Sequence, residues 1–317
     1  MGKINVILKK HLSGSRMWQV KLYNYLLESY VFLCQRFISD ERFLKRMYRK
    51  AFNKELNLSS PQTLNEKLQW LKLNVHDDIQ TLCADKYEVR SFIAKEFGEE
   101  YLIPLLYSTS NYKDLTPNNI PDEDCIIKSN HGCADYTILR GKEKERINYP
   151  LLQEKYRHAL RMNHYGPSRE WQYKNIIPLI IIEKLLVTKE GKIPNDYKLH
   201  FINGEFQFVY VSYDREGIND RCIFDADWIR LPFMWIESYK FSDNMNTTDV
   251  PRPKSFDKMI AFGTKIAKRF KYVRVDFYDV DGKLYFGEIT LHHGSGCDAF
   301  FPEKYDTIYG KLLKLDA

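Results

Sequence analysis

The chain has 317 residues, 44% of them apolar and 28% charged, which is a globular composition and excludes a disordered or collagen-like chain. The net charge of +6 is uneven, because residues 1–55 carry 12 Lys/Arg and only 4 Asp/Glu while the remainder is close to neutral. This distribution argues against a nucleic-acid-binding protein, whose basic residues usually spread over one binding face.

Cysteine spacing and hydropathy exclude further classes of protein. The six cysteines are scattered without a Cys-x-x-Cys pair, which excludes a zinc ribbon and a thioredoxin motif. Polar residues interrupt the apolar stretch from Val20 to Ile38, and Ile4–Leu8 is too short for a signal-peptide core. We therefore expect a cytoplasmic protein with reduced thiols and no membrane-spanning helix.

The pattern from Met17 to Ala51 predicts a basic pair of helices, because apolar residues recur at spacings of three and four. The recurring residues of the first helix are Leu22, Leu26, Tyr30, Leu33 and Phe37. Two interpretations remain open: the pair packs on the main body, or it presents a surface to anionic lipid or to a phosphate-bearing substrate. In the second case residues 1–55 make a peripheral contact with the inner membrane face or with a lipid-linked glycan.

Two more helices are predicted before residue 120. The first has Ser60 as its N-cap and Pro61 in its first turn, and it turns Leu64, Leu68 and Leu71 inward. The second runs over residues 85–97 and ends at Gly98. Helices are also expected over residues 149–163 and 255–271.

After Pro121 the period changes to that of strands. Cys125–Lys128 reads as a short strand that leads into the small-residue loop 129–134, and Pro178–Glu183 reads as a buried strand that ends in a carboxylate. Residues 197–202 and 205–212 read as a hairpin, because Asn203-Gly204 is a strong hairpin dipeptide.

The most informative stretch is residues 272–291, two alternating segments around Asp281-Gly282. A two-residue turn would place Val275 opposite Glu288, whereas a three-residue loop, Asp281–Lys283, pairs Val275 with Ile289 and Asp276 with Glu288. A slip of one residue moves every side chain to the other face, so the apolar pattern favours the three-residue loop, with Gly282 or Lys283 in the left-handed region.

This register predicts one polar face that carries Arg274, Asp276, Glu288 and Thr290. Two carboxylates at this distance repel unless a cation lies between them. Mg²⁺ suits such oxygen ligands, typically with one or two carboxylates and substrate phosphates. The alternative interpretation is a solvated sheet face with a surface Arg–Asp pair.

The ordered set of motifs resembles the ATP-grasp superfamily, and more narrowly its TupA-like group, which is associated with bacterial surface-polysaccharide and teichuronopeptide biosynthesis. The resemblance covers roughly residues 50–317. The motifs that carry it are Asp85-Lys86 with Arg90 on a helix, Lys128 before the small-residue loop, Glu183, Asp196-Tyr197-Lys198, Arg274-x-Asp276 and Glu288-x-Thr290.

The resemblance implies an α+β fold in which two α+β subdomains clasp ATP, preceded in the chain by a helical N-terminal segment. The implied division is a basic helical segment (1–58), a helical lobe (59–120), a small subdomain with the phosphate loop (121–186) and a large subdomain with the metal site (187–317).

The resemblance also implies roles for individual residues. Lys86 and Lys128 hold the α- and β-phosphates, and the loop with Ser129, Asn130 and Gly132 closes over them. Glu183, Lys184 and Leu186 line the adenine, Asp196 accepts from ribose hydroxyls, and Lys198 reaches toward phosphate. Asp276, Glu288 and Thr290 are the implied Mg²⁺ ligands, although many members of the family have Asn where this chain has Thr290. Arg274 steadies the transferring phosphoryl group.

The implied reaction is ATP-dependent amide formation between a carboxylate and an amine, with a uronic-acid saccharide and an amino acid or amine as substrates. A nucleotide-sugar glycosyltransferase that uses Asp225-Ala226-Asp227 is the alternative. A membrane-associated scaffold that works through residues 1–55 is a further one. His293 and residues 294–296 are expected near the acceptor pocket, and adjacent His292 and His293 should point to opposite sides, which disfavours a shared metal.

Overall fold

The structure, a computed structural model, describes residues 17–133, 135–242 and 245–315. Three predictions fall wholly or partly outside these ranges: the short apolar run Ile4–Leu8, the first part of the basic segment 1–55, and Ala134 at the end of the small-residue loop. The described residues form a mixed α+β fold, as expected.

Helices and strands alternate irregularly along the chain. The helices are α1 (Met17–Phe37), α2 (Asp40–Phe52), α3 (Leu64–Asn74), α4 (Asp78–Ala84), α5 (Val89–Phe97), α6 (Tyr149–Arg161), α7 (Tyr165–Ser168), α8 (Phe256–Ala267) and α9 (Lys304–Leu312). The strands are β1 (Leu105–Thr109), β2 (Cys125–Ser129), β3 (Thr137–Leu139), β4 (Ile180–Lys184), β5 (Asp196–Ile202), β6 (Glu205–Tyr213), β7 (Asp220–Phe224), β8 (Met234–Ile236), β9 (Tyr272–Val280), β10 (Lys283–Thr290) and β11 (Ala299–Phe301).

A small antiparallel sheet has the strand order β1-β4-β2-β3. Helix α6 packs on it through Tyr156, which is fully buried and whose hydroxyl donates to the Ile127 carbonyl at 2.6 Å. Strand β1 comes from the range 59–120 and yet pairs with β4. The domain boundaries remain predictions.

A larger antiparallel sheet has the strand order β10-β9-β5-β6-β7, and its two faces differ in polarity. Leu199, Val275 and Phe277 are fully buried on the face that packs against α8. Asp196 and Lys198 lie on the opposite face, because side chains alternate along a strand. The predicted turn at Asn203-Gly204 is confirmed, with both residues at positive φ.

Two predicted helix starts were wrong because side-chain caps decide them. Helix α3 begins at Leu64, not near Ser60, since Thr63 and Glu66 form a reciprocal capping box. Helix α5 begins at Val89 rather than Asp85, because the Asp85 carboxylate accepts from the next backbone N–H groups and closes a turn there. Lys86 therefore lies in a turn before the helix and not on it.

The N-terminal helical pair is confirmed as α1 and α2. The five apolar residues that recur in α1, however, are all exposed, and a different side of the helix packs on the body. Among the described residues, no helix combines the length and apolar character needed to cross a bilayer.

Candidate active site

The β9–β10 hairpin brings the predicted acidic pair together. Asp276 pairs directly with Glu288, and Arg274 with Thr290, so these four residues share one face as the sequence predicted. The predicted three-residue loop was wrong: Lys283 pairs with Val280, which leaves a two-residue turn.

The register at the site is nevertheless the predicted one, because a β-bulge shifts it between Phe286 and Glu288. Gly287 is the extra residue of this bulge. A Cβ atom on Gly287 would lie 2.9 Å from the carbonyl oxygen of Asp276, so the close backbone approach requires glycine.

A guanidinium group lies between the two carboxylates. Arg274 Nη2 is 2.7 Å from Asp276 Oδ2 and 3.0 Å from Glu288 Oε1, and Arg274 Nε is 2.6 Å from Asp276 Oδ1. The cation that the acidic pair needs is thus supplied in this structure by Arg274. The alternative of a solvated sheet face does not hold for Asp276 and Arg274, which are both buried.

Strand β5 extends the charged face by one more strand. Lys198 lies opposite Asp276 in the ladder, and its Nζ is 2.9 Å from Asp276 Oδ2. The same ammonium group contacts Asp196 Oδ2. Among the described residues, the buried Asp196 Oδ1 has no hydrogen-bond partner and is an unused acceptor.

The pKa values of the two paired carboxyl groups are shifted in opposite directions. Burial acts to raise the pKa of Glu288, but Lys86, Arg274 and Lys198 together lower it to about 2. Burial raises the pKa of Asp276, with Asp196 and Glu288 acting in the same direction against Arg274 and Lys198.

Lys86 connects the small-residue loop to the large sheet. Its Nζ donates to the Gly132 carbonyl at 2.8 Å and lies 3.4 Å from Glu288 Oε2, and its backbone N–H donates to the Asn130 carbonyl at 2.9 Å. Lys86, Lys198 and Arg274 thus meet the carboxylates of the hairpin from three different segments of the chain.

The small-residue loop is held by its own side chains. Asn130 is fully buried, donates to Asp85 Oδ1 at 3.0 Å and accepts from the Leu179 N–H at 2.8 Å. Ser129 Oγ donates to Asp135 at 2.6 Å. These side chains shape the loop, whose backbone N–H groups were the predicted phosphate donors. The Asn130 N–H is not available for this role, because it donates to the Leu179 carbonyl at 2.9 Å.

The cations near the end of β2 are paired with Glu183 on β4. Lys128 Nζ lies 2.6 Å from Glu183 Oε2, and Arg90 Nη1 lies 3.1 Å from Glu183 Oε1. Lys184 points away and pairs with Glu123 at 3.1 Å, so its side chain does not join this group, while Leu186 is half-buried.

A small cavity lies where these groups meet the large sheet. Its polar lining comes from Lys86, Arg90, Lys128 and Glu183. Its apolar lining comes from Val89, Leu102, Ile103 and Phe286. The lining thus combines charged with apolar side chains, although the cavity is far too small to hold a nucleotide base as it stands.

A comparison with protein families identifies the family of this chain. The family model described as TupA-like ATPgrasp matches residues 66–314. The chain belongs to the TupA-like ATP-grasp family. A search of curated proteins finds no significant match.

Solved structures similar to this TupA-like chain are distant in sequence. A D-alanine–D-alanine ligase from Bacillus anthracis is 14% identical, with a TM-score of 0.43, over 87% of this chain and 92% of that one. The same enzyme from Helicobacter pylori is 16% identical, with a TM-score of 0.38, over 74% and 62%. The ATP-grasp ligase PsnB, complexed with minimal precursor, Mg and ADP, is 13% identical, with a TM-score of 0.36; the TupA-like chain covers 72% of its own length and 58% of PsnB.

The acidic pair fits a magnesium ion through its donor chemistry. Asp276 and Glu288 offer the carboxylate oxygens that Mg²⁺ prefers, but Arg274 Nη2 now lies between them and would have to move for one ion to contact both. Thr290, across from Arg274, is a weaker candidate ligand. No group of three or more His, Cys, Asp or Glu within residues 17–133, 135–242 and 245–315 is arranged to hold a metal, so further ligands would have to come from substrate phosphates and water.

The alternative Asp-x-Asp motif has a structural explanation. Asp225 Oδ1 accepts from the backbone N–H groups of Asp227 at 3.0 Å and Ile229 at 2.8 Å, in the turn after β7. An aspartate that accepts from the residue two positions later forms an ordinary turn motif. This observation disfavours the glycosyltransferase interpretation.

His293, which the sequence placed near an acceptor pocket, contacts Arg274, and Asp298, which the sequence did not assign, contacts His293. His293 Nδ1 lies 3.0 Å from Arg274 Nη1, and His293 Nε2 lies 3.4 Å from Asp298. His292 instead faces Glu170 and Gln172, so the adjacent histidines do point to different surroundings. The only sequence signal for these contacts was the small-residue run 294–296, in which all three residues have positive φ.

Proposed function

We propose that this chain is an ATP-dependent carboxylate–amine ligase that forms an amide through an acylphosphate. The observation that carries the proposal is one continuous chain of contacts, in which Lys86, Arg274 and Lys198 alternate with Glu288, Asp276 and Asp196. Such a site provides positive charge for a polyphosphate and oxygen ligands for its metal at the same place.

The nucleotide would lie between the two sheets. Lys86 and Lys128 would hold the α- and β-phosphates, each by exchanging its present carboxylate partner for phosphate oxygens. The loop with Ser129, Asn130 and Gly132 would close over them through its backbone N–H groups other than that of Asn130, which already donates to the Leu179 carbonyl. The backbone near Glu183, Lys184 and Leu186 would line the adenine, and Asp196 Oδ1 is an acceptor suited to a ribose hydroxyl.

Asp276 and Glu288, with Thr290 as a further candidate, would hold Mg²⁺, which when bound neutralises the phosphate oxygens during transfer. Lys198 would hold a phosphate oxygen in place of its present contacts with Asp196 and Asp276. Arg274 would hold the transferring γ-phosphoryl group from the hairpin face, where negative charge accumulates.

The first step forms a bond between a substrate carboxylate oxygen and the γ-phosphorus and breaks the bond from that phosphorus to the β–γ bridging oxygen, which leaves with ADP. In the second step the amine attacks the carbonyl carbon, inorganic phosphate leaves, and the amine proton passes to phosphate or water. Arg274 would stabilise the oxyanion that exists after the amine has attacked and before phosphate leaves. Because both steps use only substrate groups, the protein needs to position and neutralise them rather than supply a nucleophile.

The proposed substrates are a uronic-acid carboxylate on a surface polysaccharide or its precursor and an amino acid or amine. This part of the proposal is supported by the family resemblance, which also suggests capsule-type polysaccharide biosynthesis. The enzyme would work on the cytoplasmic side, where ATP is available.

Isothermal titration with ATP and with UDP-sugars, each with and without Mg²⁺, tests the nucleotide. We expect ATP to bind, more tightly with Mg²⁺, and Asp276→Asn to weaken this binding strongly. Asp227→Asn is the matched control, because Asp227 lies in an exposed turn and should leave binding unchanged.

The reaction itself is tested by phosphate release from ATP in the presence of uronic acids and amino acids, with amide formation followed by mass spectrometry. Phosphate release that requires both a carboxylate and an amine supports the ligase. Tight binding of a UDP-sugar that depends on Asp227 would instead support the glycosyltransferase. Retained function of Lys128→Ala together with loss on deletion of residues 1–55 would support the scaffold.

A further inference from the structure

Helix α1 is attached to the rest of the chain along one side only. Val20, Asn24, Val31 and Cys34 are its buried residues. Asn24 donates to Glu154 Oε1 at 3.0 Å, so a buried polar contact orients the helix on α6. The Cys34 carbonyl accepts from the buried Arg169 at 2.9 Å. These contacts fix which side of α1 faces the body.

The opposite side of α1 is exposed and carries mostly apolar side chains. Nine large apolar or aromatic side chains between Trp18 and Phe37 are exposed by 37–76%. The most exposed are Trp18, Tyr25, Phe32 and Phe37. A soluble surface rarely carries so many large apolar residues in one contiguous patch, which marks a binding surface.

The charge around this patch is positive. Lys21 and Arg36 are exposed on the same helix, and α2 adds exposed cations that include Arg42, Arg46 and Lys50. Glu28, the acidic residue of α1, contacts the body of the protein instead: its carboxylate lies 2.8 Å from His158 and 2.9 Å from Arg161. The exposed side of α1 thus combines aromatic and aliphatic residues with cations and no acidic residue.

We propose that the exposed side of α1 lies in the plane of an anionic lipid bilayer and docks the protein on it. Trp and Tyr favour the headgroup region, apolar residues enter the acyl boundary, and Lys and Arg attract anionic headgroups. Self-association through this side would instead bring the same cations of two copies together, so charge complementarity selects lipid over a second copy. This inference is independent of the proposed ligase reaction.

The first experiment measures co-sedimentation of the full chain with vesicles. Vesicles of phosphatidylcholine alone are compared with vesicles that contain phosphatidylglycerol, at low and at high salt. We expect binding to the anionic vesicles, at least about 10-fold weaker binding to the neutral ones, and a loss of binding with added salt. Equal binding to both types of vesicle, or none to either, overturns the proposal.

Two double variants separate the apolar from the charged contribution. Phe32→Ser with Phe37→Ser removes two exposed rings, and Lys21→Glu with Arg36→Glu reverses the charge; each should lower vesicle binding at least about 10-fold. Ile218→Ser with Tyr239→Ser is the control, because these side chains are equally exposed elsewhere. Circular dichroism checks that all variants fold, and their nucleotide binding in solution should be unchanged.

Two competing occupants give different results. If a second copy covers α1, light scattering of the vesicle-free protein shows a dimer that the Phe32/Phe37 variant dissociates. If residues 1–16 cover α1, their deletion increases vesicle binding by the wild-type helix instead of leaving or lowering it. Either result overturns the proposal for the intact chain.

Discussion

Lys86 and Glu288 connect two segments that are far apart in the chain: Lys86 Nζ lies 3.4 Å from Glu288 Oε2 while it donates to the Gly132 carbonyl at 2.8 Å. One ammonium group therefore contacts the backbone of the small-residue loop and the acidic hairpin together. A bound polyphosphate would occupy the same position between them. Lys86 therefore links the small-residue loop to the large sheet, and under the proposed function it would contact the polyphosphate.

Replacing Lys86 by methionine tests this position. Hydrogen bonds to charged groups contribute about 1.5–3 kcal/mol, so we expect Lys86→Met to weaken ATP binding roughly 10- to 100-fold in titration calorimetry. Lys95→Met, on the exposed side of α5, is the control and should bind as the wild type does. Unchanged ATP affinity in Lys86→Met would show that Lys86 serves only to hold the loop.

A pH-dependent contribution to stability follows from Glu288. Its pKa in the folded protein is lowered to about 2, below the usual value of a glutamate, so its charged form is favoured by folding. A carboxyl group of this kind contributes stability above its unfolded pKa and loses it as the pH falls toward the folded value. The contribution should therefore be constant near pH 7 and decline from about pH 5 downward.

Urea unfolding of the wild type and Glu288→Gln at several pH values between 3 and 7 measures this contribution. The difference in free energy of unfolding between the two proteins should shrink from pH 5 to pH 3. Groups that titrate alike in both proteins cancel in this difference. A difference that stays constant down to pH 3 would mean that the Lys86 and Arg274 contacts do not form.

The alternation of the β9–β10 segment was enough to predict the acidic pair. Val275 and Ile289 had to share the buried face, and this requirement alone placed Asp276 opposite Glu288. The loop length could not be deduced in the same way, because a bulge and a longer loop change the register equally. Gly287 within a strand was the available signal for a bulge.

Other features of the site depend on contacts between distant segments. From the sequence, Asn130 is one small polar residue in a loop expected to bind phosphate. Only the fold shows that its side chain is hydrogen-bonded to Asp85 and Leu179. The insertion of Arg274 between the two carboxylates likewise depends on its rotamer and on His293. Sequence spacing gives the face of a strand, but it does not give the partner of a long side chain.

His293 is expected to act as a positioning residue for Arg274. Burial lowers the pKa of His293 well below its usual value, so the neutral ring can accept from Arg274 Nη1 through Nδ1. His293→Leu removes this acceptor and lets the guanidinium move. We expect kcat to fall about 10-fold while the KM for ATP changes little, because misplacement affects the transition state most.

Asparagine can place an amide oxygen near the position of Nδ1. His293→Asn should therefore restore most of the kcat that His293→Leu loses, as steady-state kinetics would show. Equal loss in both variants, or a loss confined to KM, contradicts a positioning role for His293.

The contact between α9 and the first turn of α3 should contribute strongly to stability. The buried Asp306 accepts from the Asn65 backbone N–H at 2.9 Å through Oδ1 and from the Asn65 side-chain amide at 3.0 Å through Oδ2. Asp306→Ala leaves both donors without these acceptors in a buried position, at a cost of about 1–3 kcal/mol for each unsatisfied group. Asp306→Asn keeps one acceptor and should cost less. Denaturant unfolding measures the free energy of unfolding of both variants. The control is Asp257→Ala, at an exposed position of α8, which should stay within about 0.5 kcal/mol of the wild type. Equal stability of Asp306→Ala and Asp257→Ala would mean that the first turn of α3 does not depend on α9.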